Sequence, residues 1–232
     1  MATIKITATD GAGQFDALVV EPATKPAGAV VLIQEIFGVN DAMRATAAQV
    51  AELGFFAVVP DLFWRLEPGV NITDKTDAEW QKAFALMNAF DQAKGVEDLK
   101  ATLAAARTLP GANGRAGTMG YCLGGRLAFM MATQSDADVN ISYYGVGIDG
   151  LLDGLKNVRK PLLLHIAKLD TYVSPEAQAK ITAGTQGNEL IRTFSYANAD
   201  HAFARVNGIH YQALAATIAN GRSAEALAAA LG

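Results

Sequence analysis

Three residues whose types cooperate in nucleophilic catalysis occur along the chain in the order Cys122, Asp170 and His201. A thiolate attacks a carbonyl carbon, an imidazole accepts and returns the proton, and a carboxylate orients the imidazole. Each interval between them has room for one or two strand–helix units, and acid then histidine after the nucleophile is the order found in one class of α/β enzyme. The three residues therefore predict acyl transfer through a cysteine.

Cys122 stands in the run GYCLGG, at 120–125, where many enzymes of that class carry a serine. The run joins a predicted strand, Arg115–Met119, to a predicted helix, Leu123–Ala132, and so predicts a tight turn that exposes the nucleophile above the sheet. The positive helix end and a nearby imidazole favour the thiolate, and the Leu123 N–H points toward a developing oxyanion. The alternative is a small apolar residue that only fills space, as buried free cysteines often do.

Other acids and histidines compete for the same roles. Asp200 adjoins His201, but adjacent side chains usually point apart, so Asp170 is preferred as the orienting acid. His165 lies inside a predicted strand and is interpreted as structural. His210 lies at or near a predicted helix start and is a weaker choice of base than His201.

The elements that must position these side chains follow from the apolar pattern. Short runs rich in Val, Ile and Leu predict strands that helices cover on both faces, whereas two alternating stretches around Asp10-Gly11 predict an antiparallel hairpin at the start. The predicted strands are Thr3–Ala8, Gln14–Val20, Ala29–Gln34, Phe55–Pro60, Arg115–Gly120, Val139–Tyr144, Pro161–Ile166 and Leu190–Ser195. Strands that alternate with helices predict an α/β fold with a mostly parallel sheet of about eight strands.

Helical patterns separate most of these strands. They cover Ala42–Leu53 after a cap at Asn40 or Asp41, Ala78–Phe90, Gly95–Leu109, and one or two Ala-rich helices over 208–231. Residues 62–94 interrupt the alternation and predict a short helical insertion that leans over a pocket. We expect one domain over 1–232.

Composition excludes several classes of function. The net charge of −4 and the lack of Lys/Arg clusters argue against a nucleic-acid partner. No apolar run approaches the roughly 18–20 residues that span a bilayer. One cysteine forms no internal disulfide, which favours the cytoplasm. The three histidines have no metal-site spacing. We expect no metal or other cofactor, no membrane contact, and a monomer or homodimer.

Taken together, several motifs make the chain resemble the dienelactone hydrolase family, which are cysteine hydrolases with the α/β-hydrolase fold. The resemblance covers essentially the whole chain and rests on QEIFGVN (34–40), PDLF (60–63), GYCLGG (120–125), YYGVG (143–147), the loop around Asp170, and HAFAR (201–205). It implies that Cys122, Asp170 and His201 form the triad. It also implies that the N–H groups of Ile36 and Leu123 bind the oxyanion.

The resemblance assigns further roles around the triad. Glu35 lies beside the thiol and modulates it, since a carboxylate that close disfavours the thiolate unless His201 offsets it. Arg205 matches one of two arginines that hold the substrate carboxylate in well-known members. Trp80 occupies the place of the second, where it can stack on an unsaturated ring. Lys82 or Arg65 can substitute as a point charge.

The implied reaction is the opening of a small enol lactone that bears a carboxylate, of the dienelactone type. An enolate leaves readily when the tetrahedral intermediate collapses, which suits a cysteine nucleophile. A broader carboxylesterase or thioesterase on the same machinery is the first alternative. The second is a ligand-binding protein that kept the fold and lost catalysis.

Overall fold

An eight-stranded sheet runs through the computed structural model, which describes residues 1–232. The strands lie in the order β1-β2-β4-β3-β5-β6-β7-β8. Their bounds are β1 Ala2–Thr7, β2 Gln14–Val20, β3 Ala27–Ile33, β4 Phe56–Pro60, β5 Ala112–Tyr121, β6 Asn140–Tyr143, β7 Leu162–Ala167 and β8 Ile191–Tyr196. The predicted strands are thus found, with ends shifted by a few residues.

The direction of the strands follows from their sequence patterns. β1 pairs antiparallel with β2, and β2 pairs antiparallel with β4, whereas the pairs from β4 to β8 are parallel. Every residue of β3 and of β7 is buried, as expected of strands covered on both faces. The predicted mostly parallel sheet with an antiparallel start is confirmed.

Helices pack on both faces of the sheet. They are α1 Asp41–Glu52, α2 Asp77–Ala89, α3 Gln92–Arg107, α4 Leu123–Gln134, α5 Pro175–Thr185 and α6 Ala213–Leu231. One apolar cluster joins α3 and α4 to the sheet, and a second joins α1 and α6 to the opposite face. None of the helices combines the length and apolar character needed to cross a bilayer.

Local signals explain most helix ends. The Asn40 side chain accepts a hydrogen bond from the Met43 N–H at 3.1 Å, so Asn40 is the cap of α1. The C-terminal segment forms one helix. Helix α5 was not predicted from the sequence, although Ser174 caps it and Pro175 begins it, because it has few large apolar residues to mark a buried face.

The carboxyl ends of four parallel strands meet at one edge of the sheet, where α/β proteins hold their sites. The loop after β3 carries Glu35 and Ile36, and the turn after β5 carries Cys122. Asp170 follows β7, and His201 follows β8. The topology therefore brings together residues that lie far apart in the sequence.

Candidate active site

Cys122 lies on a strained turn between β5 and α4. Its φ of 56° and ψ of −114° are unusual for a residue with a side chain. Glycines on either side make the turn possible: a Cβ on Gly120 would lie 2.0 Å from the Gly124 carbonyl oxygen, and one on Gly124 would lie 2.2 Å from the Ile33 carbonyl oxygen. The predicted strand–turn–helix setting of Cys122 is therefore present.

The structure brings Asp170, and not Asp200, to the imidazole of His201. Asp170 Oδ2 lies 2.8 Å from His201 Nδ1. Asp170 Oδ1 accepts hydrogen bonds from the N–H groups of Tyr172 and Val173 at 2.8 and 3.2 Å, which fix the carboxylate in place. Asp200 Oδ1 instead accepts from the His201 backbone N–H at 2.6 Å.

Cys122 and His201 line the wall of the same cavity, and the only side-chain hydrogen bond of the imidazole is the one at Nδ1 to Asp170. Burial lowers the pKa of His201, but the negative charge of Cys122 and the hydrogen bond to Asp170 outweigh burial and raise that pKa to about 10. The edges and faces of Tyr144 and Tyr172 flank the ring at centroid distances of 5.1 and 4.8 Å. The imidazole is thus held in one orientation, with its charged form favoured beside the sulfur.

Two backbone N–H groups, those of Leu123 and Ile36, make no backbone hydrogen bond. Leu123 is the first residue of α4, so its N–H has no partner within the helix. The N–H of Ile36, in the loop after β3, makes no backbone hydrogen bond, and Ile36 lines the cavity that holds Cys122. Leu123 begins α4 and Ile36 lies in the loop after β3, and the oxyanion role expected of their N–H groups stays a prediction.

Glu35 and Arg205 form a buried ion pair. Arg205 Nε donates to Glu35 Oε2 at 2.5 Å, while Glu35 Oε1 has no hydrogen-bond partner. Arg205 Nη1 donates to a second buried carboxylate, that of Asp74. The Arg205 guanidinium also lies over the Phe37 ring, 4.9 Å from its centroid. Arg205 therefore contacts two carboxylates at once.

A cavity of about 150 Å³ opens beside Cys122. Its walls are mostly apolar and consist of Ile36, Phe37, Trp80, Phe84, Met87, Cys122, Val146, Tyr172, His201 and Arg205. The insertion supplies one wall, since Trp80, Phe84 and Met87 all lie on α2. The size and lining suit a small, largely apolar ligand.

Trp80 stacks on Phe84 with ring centroids 5.5 Å apart, and its Nε1 donates to the Asp74 carbonyl oxygen at 3.0 Å.

Lys82 and Arg65 do not line the cavity. Lys82 pairs with Glu67, and Arg65 pairs with two other acids. Arg205 is accordingly the one arginine or lysine in the cavity wall.

Two polar residues near the site, Asp74 and Tyr144, were not predicted from the sequence. Asp74 had no local signal, because an acid in a loop usually caps or turns the chain. Tyr144 lies in the YYGVG motif, and its φ of 38° and its buried hydroxyl without a hydrogen-bond partner set it apart. Only the folded chain reveals what either residue contacts.

The chain is similar to known proteins over nearly its whole length. The sequence model described as "Dienelactone hydrolase family" matches residues 15–231. An Azospirillum brasilense protein named "Putative carboxymethylenebutenolidase" is 49% identical over 97% of this chain and 96% of its own. A Pseudomonas putida protein named "Carboxymethylenebutenolidase" is 40% identical over 97% of this chain and 95% of its own.

A solved structure shares the fold. The crystal structure named "Putative Dienelactone Hydrolase", from Klebsiella pneumoniae, superimposes with a TM-score of 0.82 at 22% identity, covering 98% of this chain and 99% of that one. The expected α/β-hydrolase fold is confirmed.

Proposed function

The chain belongs to the dienelactone hydrolase family, and we propose on that premise that it hydrolyses small lactones or esters through an acyl-enzyme on Cys122. The observation that carries the proposal is the contact of Asp170 Oδ2 with His201 Nδ1, together with the place of His201 and Cys122 in the wall of one cavity. Each of the three side chains is buried at the same edge of the sheet.

The proposed reaction begins with attack of the Cys122 thiolate on the substrate carbonyl carbon. The N–H groups of Leu123 and Ile36 stabilise the resulting oxyanion. The tetrahedral intermediate collapses to a thioester, and the protonated His201 gives its proton to the leaving oxygen. A water molecule, deprotonated by His201, then attacks the thioester and releases the acid. Asp170 keeps the imidazole oriented in both halves.

The substrate proposed first is a small enol lactone, since the Azospirillum and Pseudomonas relatives are named for carboxymethylenebutenolidase activity. An enolate leaves more readily than an amine, so an ester or lactone suits the thiolate better than a peptide does. In this proposal Arg205 supplies the positive charge for a substrate carboxylate, and Trp80 packs against the unsaturated ring.

A neutral ester is the second proposed substrate, and a specific contact favours it. Arg205 already binds both Glu35 and Asp74. The remaining cavity wall is mostly apolar. Steady-state kinetics with cis- and trans-dienelactone and with a series of p-nitrophenyl esters would rank the two substrates by kcat/KM.

Variants of the three central residues test the mechanism. We expect Cys122→Ala to lower kcat by at least about 10³-fold, and Asp170→Asn by about 10²–10⁴-fold, because the neutral amide no longer orients and charges the imidazole. Asp200→Asn is the matched control, which we expect to stay within a few-fold of wild type. Mass spectrometry should detect an acyl group on wild type only. Full activity in Cys122→Ala would refute the proposal.

A further inference from the structure

Asp74 binds the guanidinium of Arg205, the group proposed to bind a substrate carboxylate. It lies in the loop just before α2, and its carboxylate bonds directly to Arg205 Nη1. The side chains of both residues, and that of Glu35, are each only 7% exposed. A contact buried to this extent is weakly screened by solvent and salt. It is therefore not one of the surface pairs that contribute little energy.

The cluster of Arg205, Glu35 and Asp74 contains no unpaired cation. One guanidinium faces two carboxylates, and the neighbouring phenyl ring of Phe37 carries no charge. No other arginine or lysine lines the cavity. An anionic group entering the cavity thus meets a cluster whose positive charge is already matched, and bringing a further carboxylate there is costly unless one of the two acids leaves.

The second acid is connected to the cavity wall. The Asp74 carbonyl oxygen accepts a hydrogen bond from Trp80 Nε1, and the Trp80 ring packs edge-on against Phe37, with centroids 5.1 Å apart. Displacing Asp74 therefore disturbs the same two rings that shape the space beside Cys122. A substrate with an uncharged acyl chain fills that space without disturbing it.

We propose that Asp74 is a specificity-determining residue, which competes with a substrate carboxylate for Arg205 and makes the site favour uncharged acyl groups. The inference rests on the proposed ester hydrolysis and adds the substrate class. It also implies that the residue at position 74 sets how strongly Arg205 attracts an anionic ligand. This effect does not depend on which acid is the natural product.

Two esters of equal chain length test the inference. The p-nitrophenyl ester of valeric acid has a neutral acyl group, and the mono-p-nitrophenyl ester of glutaric acid ends in a carboxylate. The informative quantity is the ratio of kcat/KM for the glutarate ester to kcat/KM for the valerate ester at pH 7 and low salt. A substitution at position 74 that changed the reactivity of Cys122 would alter kcat/KM for both esters equally. The ratio therefore cancels such an effect.

We expect wild type to favour the valerate ester and Asp74→Asn to raise the glutarate-to-valerate ratio about tenfold. Asp74→Ala should raise it at least as much, since no side-chain oxygen remains to accept from Arg205. The matched control is Asp77→Asn, which removes the same charge from an exposed position three residues along the chain. It should leave the ratio within twofold of wild type. A ratio unchanged in both Asp74 variants would overturn the inference.

A binding measurement separates failure of this inference from failure of the proposed hydrolysis. Calorimetry on Cys122→Ala measures the affinity for glutarate without turnover, and adding Asp74→Asn should tighten binding by about tenfold or more. An unchanged affinity would overturn the role of Asp74. Absence of hydrolysis in wild type, with tightened glutarate binding in the double variant, would count against the proposed reaction and in favour of the role of Asp74.

Discussion

The backbone at Cys122 is held in a conformation that few residues with side chains adopt. A positive φ in such a residue costs on the order of 1–3 kcal/mol and persists only where the surrounding structure enforces it. Here the Cys122 N–H donates to the Tyr143 carbonyl oxygen at 3.1 Å, and the Cys122 carbonyl oxygen accepts from the Arg126 N–H at 3.1 Å. The turn thus fixes the backbone that carries the sulfur before any substrate arrives.

Glu35 belongs to the same buried neighbourhood as the sulfur. Burial raises the pKa of Tyr144 well above its ordinary value, and the charges of Glu35 and Cys122 both raise it further. One oxygen of Glu35, Oε1, is buried and has no hydrogen-bond partner. That Glu35 holds Cys122 in a protected state until substrate displaces the carboxylate stays a prediction.

Thiol alkylation tests that hypothesis at the level of one residue. We expect Glu35→Gln to react with iodoacetamide at lower pH than wild type does, because removing a nearby negative charge favours the thiolate. Cys122 is the only cysteine, so the reaction reports on it alone. Glu67→Gln, at an exposed position, serves as the control. Identical profiles of rate against pH in wild type and Glu35→Gln would remove the idea.

At the scale of elements, the close approach of α4 to β3 fixes Cys122 and the N–H of Leu123 together. Gly124 lies in the first turn of α4, and a Cβ there would fall 2.2 Å from the Ile33 carbonyl oxygen and 2.6 Å from that of Gln34. Both contacts are with backbone atoms, which cannot rotate away. Any side chain at this position must push the helix from the sheet.

Gly124→Ala should therefore damage both the site and the fold. We expect kcat/KM to fall by about 10²-fold, since small misplacements of reacting groups have effects of that size. The free energy of unfolding should fall by about 1–3 kcal/mol, as overpacking usually costs. Esterase kinetics and urea unfolding measure the two quantities.

Gly221→Ala is the matched control for that change. Gly221 is exposed in α6, and a Cβ there would meet no atom within 4 Å. Replacing a helical glycine with alanine should raise stability by roughly 0.5–1 kcal/mol and leave kcat/KM unchanged. Equal behaviour of the two glycine variants would contradict the role given to the packing of α4.

At the scale of the whole molecule, two buried histidines respond to pH in opposite directions. His165, in β7, lies 2.8 Å from the Tyr196 hydroxyl and 3.0 Å from the Ser223 hydroxyl. Burial, and then the positive charge of Arg222, lower the pKa of His165 to about 3. The pKa of His201 is raised to about 10 despite burial, by Cys122 and Asp170.

Each histidine changes the free energy of unfolding with pH because its pKa differs between the folded and the unfolded chain. The stability that neutral His165 contributes is present above the unfolded pKa of about 6.5 and is lost as pH falls toward 3. The stability that protonated His201 contributes is full below about 6.5 and is lost as pH rises toward 10. Together the two histidines give the free energy of unfolding a maximum near pH 6.5.

Urea unfolding of wild type from pH 5 to 8 should show this maximum, with each histidine contributing a slope of at most about 1.4 kcal/mol per pH unit. His165→Gln should flatten only the acidic side, and His201→Gln only the alkaline side. Each variant is thus the control for the other. Loss of both slopes in either variant would contradict the assignment.

The sequence by itself determined the strands, most helices and the order of the reacting residues. Apolar runs and caps act over a few residues, so β2, α1 and the turn at Cys122 are readable from local pattern. The site motifs are contiguous as well, which is why the resemblance to the family rested on them. The roles proposed for Arg205, Glu35 and Trp80 began there and remain predictions.

Only the tertiary structure decided which side chains meet. Asp74 and Arg205 bond across 131 residues, and no periodicity or spacing in the sequence encodes that contact. The choice of Asp170 over Asp200 likewise depends on how the loops after β7 and β8 fold back toward Cys122. Burial then gives such contacts their strength, because a carboxylate removed from water interacts strongly with the charge that folding places beside it.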